Sequence, residues 1–339
     1  MRATMITIHC GLHKTGSSSI QLGLQLAGDR RHPIVLSQPH ESQSDDAWAS
    51  RLRALPSGAI LSDENLLGSP FDGYARAPER LRIIDESLSG RDYRFIVYFR
   101  PQLPWLQSLY LQGVQQGMDD APEDFVDRVT ASPCVRWQSM LGLLRGSDAT
   151  SVVARAYVSS RDVVGDFFAQ ASLGAPPDVG ASGFRENPSI TAVQAPILRT
   201  LNSGADPAAS ARLRELFQGR LREGAPRGFS PFSAELQESC LHRFRDDWAA
   251  LSEAVRSVDA SEGLVFSELL AGWDQGATAS AGERITDPLV AAEMVRSLGV
   301  LAAASARHSA DVGARIRQAI ADPMGFIAAV RRRALGRWR

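Results

Sequence analysis

The strongest constraint on the fold lies in the first 27 residues. Thr4–Cys10 (TMITIHC) is short, β-branched and apolar, Gly11–Ser19 is small and polar, and Ser18–Ala27 carries apolar residues at helical spacing. A buried strand that passes through a Gly/Ser loop into a helix is the opening unit of a parallel α/β sheet, because such a sheet needs a helical crossover after each strand. The same alternation continues. Strands are expected at Pro33–Ser37, Ala59–Ser62, Tyr93–Phe99 (YRFIVYF) and Thr150–Ala156. Helices are expected at Glu79–Leu88, Trp105–Gln116 and Val163–Leu173. Gly90 and Gly174 supply helix stop signals. The expected fold is therefore α/β, with a parallel central sheet flanked by helices.

The second half reads differently. Ala175–Pro188 is rich in Gly, Pro and Ala and reads as loop. Thr191–Leu201, Ser210–Glu223, Ser233–Glu253 and Pro288–Ala303 read as helices, with no strands among them. Beyond Ser257 the pattern weakens. The chain closes on a basic amphipathic stretch, IAAVRRRALGRWR, suited to a solvated helix or to contact with an anionic membrane surface or acidic partner.

Composition removes some function classes. With 44% apolar and 22% charged residues and a net charge of -1, the chain can build a large core. It lacks the positive surplus that nucleic-acid binding requires. Cys10, Cys134 and Cys240 are widely spaced, without metal-ligand spacing, and read as buried free thiols of a cytoplasmic protein. No apolar window reaches the roughly 18 residues of a membrane span, and Met1–His9 reads as a strand rather than a leader.

Lys14 is the only lysine among 37 basic residues. It stands in Gly11-Leu12-His13-Lys14-Thr15-Gly16-Ser17-Ser18-Ser19, where strand gives way to helix. A helix N-terminus offers unpaired N–H groups and partial positive charge. Glycines let an anion approach the backbone, the serines add hydroxyl donors, and lysine adds a compact full charge that a larger arginine fork would not replace. The elements together form a phosphate cradle. A Walker A loop places its lysine directly after the second glycine; here Lys14 comes two residues before Gly16.

IHCGLHKTGSSSIQ resembles the donor 5′-phosphosulfate loop of sulfotransferases that use 3′-phosphoadenosine 5′-phosphosulfate. Bacterial members often carry His-Lys-Thr-Gly-Thr-Thr, and this chain has Ser17 and Ser18 in place of the two threonines, which keeps the hydroxyls. A second stretch, YRFIVYFRPQLPWLQSLYLQ, resembles the family's 3′-phosphate motif, with Arg100 at a strand end and Ser108 eight residues later. Pro101 and Pro104 are less usual there and fit a helix starting near Trp105. VVARAYVSSRDVVGDFFAQASLG resembles the segment that closes over the adenine, with Tyr157 as the stacking residue. RENPSITAVQAPILRTLN resembles a segment near the acceptor, making Arg185, Asn187 and Ser189 substrate candidates.

The resemblance implies a P-loop-like sulfotransferase fold. Its α/β domain would cover residues 1–257, with the donor site in 1–175 and a helical acceptor or lid part in 188–257. Residues 258–339 would form a helical extension. It implies 3′-phosphoadenosine 5′-phosphosulfate as co-substrate, 3′,5′-bisphosphoadenosine as product, no metal, and a carbohydrate, lipid or small-metabolite acceptor. Lys14 would stabilise the leaving oxygen, and Thr15, Gly16, Ser17, Ser18 and Ser19 would hold its phosphate. Glu64, in LSDENLL, is the expected base and acceptor contact, Asp63 is the fallback, and His13 a neighbouring catalytic or positioning group. The loop alone also admits a nucleotide-dependent kinase or a non-catalytic nucleotide- or anion-binding protein.

Overall fold

The computed structural model describes residues 5–28, 33–36, 44–177, 190–204, 229–279 and 287–305. They fall into two compact units, one drawn from 1–105, 126–186 and 239–276 and the other from 106–125, 187–238 and 277–339.

The first unit contains a five-stranded sheet of β1 (Ile6–Cys10), β2 (Ile34–Leu36), β3 (Ile60–Asp63), β4 (Tyr93–Phe99) and β5 (Ser151–Ala156), in the order β2-β3-β1-β4-β5. Every pairing is parallel; Cys10 lies beside Asp63 on one side and Val97 on the other. Side chains alternate across the sheet. Ile60, Ile96 and Tyr98 face one layer, where they meet Ile20 and Leu24 of α1 (Ser17–Ala27) and Val164, Phe167 and Phe168 of α7 (Val163–Gln170). Phe99 points the other way and meets Trp137 of α6 (Trp137–Arg145), 5.9 Å between ring centroids. Helices α2 (Asp45–Arg53) and α3 (Ala77–Ser87) pack on each other, and α3 also packs on α6. Burial on both faces explains why β4 is apolar throughout apart from Arg94.

The winding reverses between β1 and β4. β2 and β3 lie to one side of β1, and β4 and β5 lie to the other. Ligands of open α/β sheets bind beyond the carboxyl ends of the strands at such a switch point. The segments leaving that position are Gly11–Gly16 and Arg100-Pro101.

Helix α4 (Gln102–Gln116) starts three residues before Trp105, the expected start, so Pro104 lies in its first turn. The first four helical N–H groups have no partner within the helix, so proline is tolerated there. In the second unit, Tyr110 of α4 packs edge-on against Phe125 of α5 (Pro122–Thr130) and against Phe232. The amide of Asn202, on α8 (Ala195–Gly204), donates to the carbonyls of Val114 and Met118. Gln194 donates to Glu293 of α11 (Asp287–Ser305) at 3.0 Å. In the first unit, Trp248 of α9 (Ala234–Arg256) donates its indole N–H to the Phe266 carbonyl of α10 (Ala260–Ala279).

Helices at 45–53, 122–130 and 137–145 are additional to those expected from the sequence, and the helix at 260–279 lies in the stretch expected only as a helical extension. The helix expected at Ser210–Glu223 and the basic terminal stretch lie outside the described residues. Cys10, Cys134 and Cys240 are buried free thiols. No helix among the described residues is long and apolar enough to cross a membrane.

Candidate functional site

The loop after β1 is built to expose N–H groups and turn carbonyls away. Lys14 has φ of 65° and Gly16 of 82°, while Thr15 between them has negative φ. Alternating sign of φ along successive residues turns consecutive N–H groups toward one concavity, the arrangement of an anion-binding nest. Gly16 is also the N-cap of α1, with no side-chain cap. Among the described residues, no hydrogen bond within the protein takes up the N–H groups of Thr15, Gly16, Ser17 or Ser18.

The carbonyls are held by other donors. The Leu12 carbonyl accepts from the Thr15 hydroxyl and from the Ser17 hydroxyl, the latter at 3.3 Å. The His13 carbonyl accepts the Trp105 indole N–H at 3.0 Å, and the Lys14 carbonyl accepts the Arg100 guanidinium at 3.2 Å. An anion approaching the cradle therefore meets N–H dipoles and the Lys14 charge, not carbonyl oxygens.

Positive φ in a residue with a Cβ costs about 1–2 kcal/mol, and it recurs where function requires the side chain. Lys14 and Tyr74 (φ 58°) both carry that strain. Buried Tyr74 places its hydroxyl 2.9 Å from the His13 backbone N–H and 3.2 Å from His13 Nδ1. Its ring stacks on Trp105 at 6.2 Å. Trp137 donates its indole N–H to the Arg100 carbonyl at 2.7 Å. Two indoles and one phenol thus set the backbone of the two segments that leave the switch point.

The first unit brings together most of the residues singled out by sequence. Lys14, Thr15, Gly16, Ser17, Ser18 and Ser19 form the cradle and the first turn of α1. Arg100 touches the Lys14 carbonyl and lies over the Tyr157 ring, 5.7 Å from its centroid. A Cβ on Gly16 would stand 2.9 Å from Val163 and 3.2 Å from the Tyr157 ring, so Tyr157 borders the cradle and glycine is needed there. Glu64 follows β3; a Cβ on Gly11 would lie 3.4 Å from its Cα. Ser108 lies half-buried on α4, in the second unit. Arg185, Asn187 and Ser189 lie outside the described residues.

The titratable groups divide by environment. Burial, helped by the nearby Lys14 charge, holds the His13 imidazole down to about 4 against the opposing pull of Asn65 and Asp63, so His13 is neutral near pH 7. His9, fully buried on β1 and bonded to Ser62 at 2.8 Å, is held down to about 3 by burial. Glu64 moves the opposite way: burial first, then Asp63, raise its carboxyl above the usual range, and Lys14 partly offsets them. The Asp63 carboxylate accepts the Asn65 N–H at 2.8 Å. Tyr74, Trp105 and Trp137 were not singled out by the sequence. Trp105 lies between Arg100 and Ser108, but its role appears only in the fold, where its indole reaches the His13 carbonyl.

No protein-family model matches the chain, and neither a curated protein nor a solved structure matches it.

Proposed function

We propose that this protein is a sulfotransferase that moves a sulfuryl group from 3′-phosphoadenosine 5′-phosphosulfate to a hydroxyl or amine of a carbohydrate, lipid or small metabolite. One observation carries the reading: a nest of free N–H groups around Lys14 shares one end of the sheet with Arg100 and Tyr157. A nest, a separate guanidinium and an aromatic face suit a ligand with two separated phosphate groups and a base better than a single triphosphate chain. The first strand at the sheet's centre, followed directly by the anion loop and α1, supports a P-loop-like fold.

In this reading the N–H groups of Thr15–Ser18 hold the 5′-phosphate. Lys14 faces the oxygen that gains charge as the sulfur–oxygen bond breaks. Arg100 binds the 3′-phosphate, and Tyr157 stacks on the adenine. Glu64 accepts the proton as the acceptor oxygen bonds to sulfur, and neutral His13 orients the loop through Tyr74. The reaction lies on the cytoplasmic side, the compartment expected from the free thiols.

Calorimetric titration with 3′,5′-bisphosphoadenosine and with magnesium ATP tests the assignment. The bisphosphate is expected to bind and ATP to bind far more weakly. No bisphosphate binding together with tight, magnesium-dependent ATP binding would sink the sulfotransferase reading and favour a kinase.

Glu64→Gln should lower turnover by about 10²-fold or more while leaving bisphosphate affinity nearly unchanged. Because the Glu64 pKa is raised, the ionised base is populated only above that pKa. Wild-type turnover should therefore fall as pH drops through a value above the ordinary carboxylate range, and this limb should vanish in the variant. A pH–rate profile with the limb intact in Glu64→Gln would place the base elsewhere.

A further inference from the structure

The sequence beyond Ser257 resembles nothing in the sulfotransferase pattern, yet the first turn of α10 is built into the end of β5. The Glu262 side chain is 2% exposed. Its Oε1 accepts the Ala156 backbone N–H at 2.6 Å, as the chain leaves β5. The same carboxylate accepts the Arg161 guanidinium at 3.1 and 3.3 Å, just before α7. One side chain thus grips both ends of the loop 156–161. That loop carries Tyr157, whose ring borders Gly16 and Arg100.

Several contacts make the grip specific. The Arg155 guanidinium lies 2.8 Å from Glu262 and donates to both oxygens of Asp166 on α7, at 2.5 and 3.0 Å. Arg161 also reaches Asp166, at 2.8 Å, and the Tyr98 hydroxyl completes it at 2.8 Å. Two guanidiniums against two buried carboxylates leave no unpaired charge, the condition under which a buried ionic cluster is tolerated. Asp259 accepts the Glu262 N–H at 3.0 Å and fixes where the helix starts. Gly263 lets α10 approach closely, since a Cβ there would fall 2.5 Å from the Arg256 backbone. An apolar pair would pack such a helix as well; the polar grip is needed only if the position of 156–161 matters.

We propose that Glu262 is a positioning residue for the nucleotide end of the donor site, clipping the 156–161 loop so that the Tyr157 ring stands against the cradle. Helix α10 is thereby a working part of the site and not an appendage. The inference rests on the donor reading above.

The test compares full-length wild type, Glu262→Gln and Arg161→Gln. Arg161, with its side chain 32% exposed, provides a milder break should Glu262→Gln fold poorly. Hydrogen exchange without ligand is expected to speed up at the amides of Tyr157–Asp162 in both variants, while β1 and β4 keep their protection. With 3′,5′-bisphosphoadenosine as probe, affinity is expected to weaken about tenfold in Glu262→Gln and less in Arg161→Gln. The KM for the sulfuryl donor should rise in step with kcat unchanged. Unchanged exchange at 157–162 would overturn the clip, as would a fall in kcat at constant donor affinity. If wild type fails to bind the bisphosphate, the functional reading fails, the donor role of Glu262 falls with it, and the exchange result still decides whether the clip exists.

Discussion

Lys14→Ala is expected, under the proposed sulfotransferase function, to lower sulfuryl transfer by about 10³-fold, the loss that follows when a preorganised group facing developing negative charge is removed. Lys14→Arg should lose less, since the charge survives but a planar fork replaces a compact ammonium. The backbone supplies a second readout. Lys14 sits at φ 65°, a conformation strained for any residue with a Cβ. Alanine keeps that strain and loses the ammonium, whereas glycine loses both. Lys14→Gly should therefore be more stable than Lys14→Ala by about 1 kcal/mol in urea unfolding, with both inactive. That pattern would show a position held by a side chain the loop itself does not favour. Transfer at the wild-type rate in Lys14→Ala would remove the lysine from the mechanism.

The centre of the sheet was legible because β1, β3 and β4 are buried on both faces and therefore read as largely apolar runs. ITIHC and YRFIVYF have no competing helical period. The cradle was legible because a glycine-rich loop between strand and helix is a local signal. What sequence could not show was how the loop is held. Trp105, Tyr74 and Trp137 reach it across 92, 61 and 37 positions, counting to His13 for the first two and to Arg100 for the third. No local pattern encodes an indole aimed at a distant carbonyl. Helix α2 escaped notice for another reason: it is mostly polar, with Trp48 and Leu52 its buried residues, and its start rests on the Ser44 hydroxyl accepting the Ala47 N–H. Helix α10 spreads its apolar residues around its circumference, and Glu262, which reads as a surface charge, is almost fully buried.

Asp247→Ala should destabilise the protein by about 3 kcal/mol, although Asp247 lies far along the chain from the cradle. Helix α6 starts at Trp137 with no side-chain cap from its own N-cap residue, Arg136. Asp247 on α9 supplies the cap from a distance: it accepts the N–H of Trp137 at 2.8 Å and of Gln138 at 3.2 Å. It also accepts the buried Gln102 amide at 2.6 Å. Alanine would leave the N–H groups of Trp137 and Gln138 without an acceptor and the Gln102 amide with only the Val135 carbonyl, at 3.4 Å, in a buried site where each orphan is costly. Asn keeps one oxygen but turns an NH₂ toward the remaining donors, so Asp247→Asn should fall between wild type and alanine. The consequence should extend to the site, because Trp137 begins the capped helix and its indole holds the Arg100 carbonyl at 2.7 Å. At a temperature where Asp247→Ala remains folded, bisphosphate affinity should drop while Lys14-dependent chemistry persists. Urea unfolding and calorimetric titration read the two effects separately. A stability loss under about 0.5 kcal/mol would mean that the start of α6 is held by aromatic packing alone. Full stability loss with unchanged affinity would mean that Arg100 keeps its place without the Trp137 indole.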